Sequence, residues 1–310
     1  MRVFTLESER LRARILDFGA TLMSLEAPDR HGTWTDVVLG FDDPERYHLR
    51  HPYLGATVGR YANRIAEAKF SIDGNDYQLS VNEGRHHLHG GENGFHRVTW
   101  QAQRHGSALR FRYVSRDGDE GYPGTVTAVV TYRIQANVLM IDYHASTDRP
   151  TVLNLTNHAY FNLGGAGAVD EHLVRIPAAR YVEVDAERIP TGRLLPVADT
   201  AMDFQRARPL GRVRVDHCFV LDGEIELHDP ASGRLLRIRT TQPGAQFYTG
   251  DLLDGSVRGR DGTAYGPRAA LCLEPQHFPD SPNQPAFPST VLRPGEQYRH
   301  RSSYEFSVQR

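Results

Sequence analysis

Lysine is nearly missing from this 310-residue chain: Lys69 is the only one, so almost all of the 36 basic side chains are arginine. The arginines are scattered, which reads as a compositional bias and not as a set of phosphate sites. Cysteine is scarce as well. Cys218 and Cys272 cannot build a disulfide framework, and neither stands in a C-x-x-C spacing. No stretch approaches the roughly 18 apolar residues of a membrane span, and Met1 to Glu7 lack a charged segment leading into an apolar one. A soluble, cytoplasmic protein is expected. Neither sign of charge is in excess: 36 basic and 38 acidic residues leave a formal net charge of −2. No broad basic field is available for nucleic acid or an anionic membrane. A small polar ligand suits such a chain, and nothing demands more than a monomer or weak dimer.

Helical periodicity is missing too. No segment of about a dozen residues carries a 3.6-residue apolar repeat, and Asp43 to Tyr47 offers one short turn at most. What is present is alternation with a period of two. It runs through residues 109–114, 138–143 and 235–239, and residues 125–132 are rich in Thr and Val. Asp73-Gly74 between apolar flanks is a hairpin signal. Residues 117–124 hold three glycines and a proline, a loop that no helix tolerates. Many short strands without helical spacers predict an all-β sandwich or barrel. No linker or repeat divides the chain, so residues 1–310 are expected to form one domain.

Polar residues gather in five segments: 59–65, 86–91, 154–163, 215–219, and a last one from Gln242 through Gln246 and Glu274 to Pro288. Each has an ordinary explanation. Arg64 reads equally as a surface charge, and Glu274, after the apolar run 269–273, as a strand-end carboxylate facing water. If buried, Glu274 would have its proton affinity raised into the range of a general base. His87 and His89 alternate along a strand and would share one face. His158 stands out, because Asn154, Asn157 and Asn162 surround it with amides inside an apolar run. Such groups are costly to desolvate unless they bind something.

In this order and spacing, the five segments resemble the galactose mutarotases, or aldose 1-epimerases. The resemblance runs from residues 36–41 to 292–298 and rests on residues 59–65, 88–91, 154–163, 246–250 and 283–285. It implies a large antiparallel β-sandwich with few short helices. It further implies an enzyme that interconverts the α and β anomers of a free hexose such as galactose or glucose. On this resemblance Glu274 corresponds to the general base and His158 to the general acid. Asn63, Arg64, His89, Asp216 and Gln246 correspond to groups that hold the sugar, with Tyr160 lining the pocket. His277 and Phe278 depart from the family pattern, and residues 221–234 look short, which bears on the preferred sugar.

The chemistry agrees with that set. Anomer exchange moves one proton off the C1 hydroxyl and another onto the ring oxygen, then reverses both after rotation about C1–C2. A carboxylate and an imidazole accomplish this without cofactor or metal. Three other readings compete. A mutarotase-like enzyme for a phosphorylated hexose would need cations beyond Arg60 and Arg64. A metal-dependent sandwich would use His87 and His89. A non-catalytic carbohydrate-binding protein would have no need of a paired acid and base.

Overall fold

The computed structural model describes residues 1–309, and each period-two segment lies in a strand. Residues 109–114 fall in Ala108–Ser115, 138–143 in Val138–Thr147 and 235–239 in Arg234–Thr240. These belong to a nine-stranded antiparallel sheet. Phe111, Val130 and Tyr143 sit directly opposite one another across three of its strands, all buried. Asp73-Gly74 makes the expected hairpin between Lys69–Ile72 and Asn75–Gln78. Both turn residues have positive φ, 52° and 79°, as a two-residue hairpin turn of primed type requires. Among the described residues there is no α-helix, only six 3₁₀ helices of three to five residues. One of them, Pro44–His48, is the short turn read from the sequence, started by the Asp43 carboxylate accepting the Glu45 amide. No helix is long and apolar enough to cross a membrane.

A second sheet of six strands carries the chemistry. Its order is Tyr160–Phe161, Leu271–Gln276, Gly244–Tyr248, Asp216–Val220, Arg180–Val184 and Pro190–Pro196. Leu271, Leu273, Ala245, Phe247 and Phe219 point from it into the same apolar cluster as Phe111, Val130 and Tyr143. The two sheets therefore pack face to face, as the resemblance implied. A four-stranded sheet, beginning with Val3–Glu7, adds Leu6, Ala13, Ile15 and Leu25 to this cluster.

Alternation along the second sheet then fixes the site. With Leu271 and Leu273 in the core, Cys272 and Glu274 must face the other way, and with Phe247 inward, so must Gln246. Gln246 lies directly opposite Glu274 across the strand pair. A one-residue slip would exchange Leu273 for Glu274, losing about 2 kcal/mol of apolar burial and placing a carboxylate in hydrocarbon. The core thus sets the register of the functional face.

Two expectations about the chain are corrected here. His87 and His89 do not share a strand face, because the strand ends at His87–Leu88 and His89 turns into the left-handed region at φ 54°. The His87 ring is bound on both nitrogens, Nδ1 to the Ser80 carbonyl at 2.7 Å and Nε2 to the Tyr122 hydroxyl at 2.7 Å. Arg60 does not stand with Arg64 either. It is buried against Tyr122 and donates to Ser115 Oγ and to the carbonyls of Pro123 and Arg116, so its role is structural.

Candidate active site

On the outer side of the six-stranded sheet lies a cleft of about 750 Å³, lined among others by Asn63, Arg64, His89, His158, Tyr160, Asp216, Gln246 and Glu274. All eight residues singled out from the sequence are therefore brought together, from segments up to 211 positions apart (274 − 63).

Glu274 is 2 % exposed, which sets aside the reading of a carboxylate facing water. Its Oε2 has no hydrogen-bond partner and lies 3.7 Å from His158 Nε2. Burial, and then the nearby Asp216 charge, push the Glu274 carboxyl well above the usual carboxylate range, with Arg64 opposing. His158, 5 % exposed, is pulled the other way, down to about 4, mainly by burial. Its ring lies nearly parallel to both Tyr160, at 5.1 Å between centroids, and Tyr53, at 5.6 Å.

The polar rim is organised so that specific atoms remain free. Asn63, at φ 66°, uses Oδ1 to accept the Arg64 amide at 2.9 Å, and its own amide donates to His89 Nδ1 at 3.1 Å. A backbone N–H only donates, so His89 Nδ1 is bare and Nε2 carries the proton. Burial keeps that ring neutral by lowering its proton affinity. Arg64 pairs with Glu83 at 2.6 Å and leaves its buried Nε unpartnered. Asp216 Oδ1 accepts from Gln246 Nε2 at 2.7 Å, and Arg188 Nε lies 3.5 Å from Asp216 Oδ2. Because the carboxylate only accepts, Gln246 must turn its NH₂ toward it. Gln246 Oε1 is then left buried and unpartnered beside Glu274. The wall offers both donors and acceptors to a polyhydroxylated ligand.

The amides around His158 have a different explanation from the one the sequence gave. Asn154 Nδ2 donates to the carbonyls of Ala62 and His277, and its Oδ1 accepts the His277 amide at 2.9 Å. Asn157 donates to the Gly55 carbonyl and Tyr132 hydroxyl, and Asn162 to the carbonyls of Gly167 and Ala269. These side chains bind backbone and, for Asn157, the Tyr132 hydroxyl; they clamp irregular segments around the site, with Asn157 Oδ1 left buried and unpartnered. Asn154→Ala is expected to destabilise the fold by about 3 kcal/mol, since buried partners of three bonds are abandoned. A denaturant titration would show it as a lower midpoint at unchanged slope.

Other details were not legible in the sequence. Tyr53, His96, Arg188 and Arg50 also line the cleft, and His96 Nδ1 is buried without a partner. The His-Pro-Tyr run at 51–53, a few residues before Asn63, was the only signal available for Tyr53. The departures at His277 and Phe278 do not line the cleft: the His277 ring binds Gln242 Oε1 at 2.7 Å, and Phe278 packs on Phe287. The metal reading on His87 and His89 loses its geometry with the broken strand. One grouping with ligand-like spacing among the described residues is His158, Cys272 and Glu274, one atom of each lying within 4.8 Å of the others.

Two sheets packed face to face, with a buried carboxylate and imidazole at one polar cleft, define the class as an antiparallel β-sandwich with its cleft on the outer face of the smaller sheet. The chain belongs to the aldose 1-epimerase family, whose sequence pattern matches residues 2–305. It is 43% identical to galactose mutarotase of Homo sapiens over 98% of this chain and 94% of that one. It is 38% identical to aldose 1-epimerase of Escherichia coli over 94% of this chain and 91% of the relative. A crystal structure of an aldose epimerase homologue from C. elegans superimposes with a TM-score of 0.96 at 35% identity, covering 100% of this chain and 99% of the other.

Proposed function

We propose that this protein is an isomerase that interconverts the α and β anomers of a free aldose, with Glu274 as base and His158 as acid. The observation that carries the reading is the approach of Glu274 Oε2 to His158 Nε2, 3.7 Å, in a cleft where Arg64 Nε and Gln246 Oε1 are also buried without partners. The relatives named above are called galactose mutarotase and aldose 1-epimerase, and the largest apolar cluster draws residues from Leu6 to Phe306, which supports a single domain.

Neither member of the pair favours charge when buried, so burial favours placing the pair's exchangeable proton on Glu274, opposite a neutral His158. Ring opening in the assigned sense needs the proton on the imidazole and the carboxylate bare. That redistribution leaves the pair's net charge unchanged. Arg64 favours the carboxylate, and the aromatic faces beside His158 favour the imidazolium. Glu274 then takes the C1 hydroxyl proton while His158 Nε2 protonates the ring oxygen. After rotation about C1–C2 the same two groups run backwards and close the ring on its other face. Asn63, Arg64, His89, Asp216 and Gln246 hold the hydroxyls, and Tyr160 walls the pocket. Each positioned proton-transfer group supplies roughly 10²–10⁴-fold.

Polarimetry of freshly dissolved α-aldoses tests this. Rotation should relax faster with protein than without it for one or more free aldoses, glucose and galactose first. A 6-phosphate preferred over the free hexose would overturn the choice of substrate; Arg50, Arg97 and Arg188 at the cleft, unseen from the sequence, make the comparison worth running. Sugar binding with no accelerated relaxation would overturn the activity itself.

A further inference from the structure

The strand Leu271–Gln276 brings two side chains to His158, because residues 272 and 274 share a face. Glu274 meets the ring at Nε2. Cys272 meets it at the other nitrogen, with Sγ 3.6 Å from Nδ1, and both residues are fully enclosed. Resting on the reading of His158 as the acid, we infer that Cys272 is a positioning residue: its sulfur accepts the Nδ1–H of the neutral imidazole and so keeps Nε2 as the nitrogen that exchanges protons.

The direction of this bond follows from the neighbours. The ring's own backbone carbonyl lies against the imidazole, favours its protonated form and can only accept. On the Nε2 side, Glu274 Oε2 has no other partner, and a protonated Glu274 needs an acceptor there. A proton resting on Nε2 would oppose the Glu274 proton and leave the carbonyl facing a lone pair. With Nδ1–H fixed, loss of the Nε2 proton to the sugar ring oxygen produces the neutral tautomer that the pocket already holds. No rotation or proton relocation is required before the return step. A thiol has a further consequence at this position. Burial keeps Cys272 un-ionised by raising its proton affinity, so it orients the imidazole without adding a negative charge that would stabilise the imidazolium. His158 therefore remains a strong acid. The other groups around the ring are Tyr53 and Tyr160 beside its faces and His89 edge-on at 5.1 Å. None of them hydrogen-bonds Nδ1, so Cys272 is the side chain that joins the His158 carbonyl in holding the proton on that nitrogen.

Nitrogen-15 NMR of histidine-labelled protein reads the tautomer directly, without reference to activity. The wild-type His158 ring should carry its proton on Nδ1 at neutral pH. Cys272→Ala should mix the tautomers and lower kcat roughly 5- to 10-fold, the scale of one hydrogen bond, with KM unchanged. Cys272→Ser, which keeps an acceptor, should restore both. A wild-type ring protonated on Nε2 overturns the inference, even if the alanine variant does not fold. So does an alanine variant that keeps both the Nδ1–H tautomer and wild-type kcat. His158→Asn assayed alongside separates the two levels: if that variant turns over normally, the acid assignment fails, whereas a dead His158→Asn with an unaffected Cys272→Ala defeats only the role of the thiol.

Discussion

Glu274→Gln is expected to lower kcat roughly 10²–10⁴-fold while leaving sugar affinity within a few-fold of wild type. The amide keeps the shape of the carboxyl but cannot take the C1 hydroxyl proton. Polarimetric turnover and calorimetric binding on one preparation measure the two quantities, and wild-type turnover would remove Glu274 from the role of base. The same substitution has a signature in stability. A carboxyl whose folded proton affinity is raised stabilises the fold while protonated, and that contribution is lost as pH rises from the ordinary carboxylate range through the raised value. Relative to Glu274→Gln, wild type should therefore lose thermal stability over this interval, while the buried histidines, whose proton affinities are lowered, act on both proteins alike. The melting difference between them should widen in favour of the variant as pH increases.

His158→Asn is the second large effect. Asparagine can still donate a hydrogen bond, but it cannot give up and recover a proton, so a loss of roughly 10²–10⁴-fold in kcat is expected. Its pH profile distinguishes loss of the acid from a general disturbance. In wild type the productive pair carries a single proton. Activity should fall on the acid side as a second proton arrives, near the His158 value of about 4, and on the alkaline side as the only proton departs, above the usual carboxylate range. Asparagine cannot relieve Glu274 of its proton, so the variant's residual rate should rise only as Glu274 itself deprotonates, above the usual carboxylate range, and the acid limb near 4 should be gone. A variant that keeps this limb would place the ionisation elsewhere.

The strands were legible because their cause is local. A period of two in residues 109–114 or 235–239 is enough to dictate which side chains enter a core, and Asp73-Gly74 is enough to reverse the chain. The three-histidine segment misled for the complementary reason: alternation presumes continuing strand, and the left-handed turn at His89 ends it. The asparagines near His158 misled because a buried amide must be satisfied, and sequence does not say by what. Here the NH₂ groups go mostly to backbone carbonyls, with the Tyr132 hydroxyl sharing that of Asn157.

Composition and pattern alone determined an all-β chain with no long apolar helix, and the resemblance supplied the eight residues of the site. Tertiary structure decided what those residues can do. Only packing of Leu271 and Leu273 into the shared core turns Glu274 and Cys272 outward to opposite nitrogens of His158. Only enclosure, a property of the assembled sheets and not of any segment, removes the water that would otherwise hold the carboxylate and imidazole at their ordinary proton affinities.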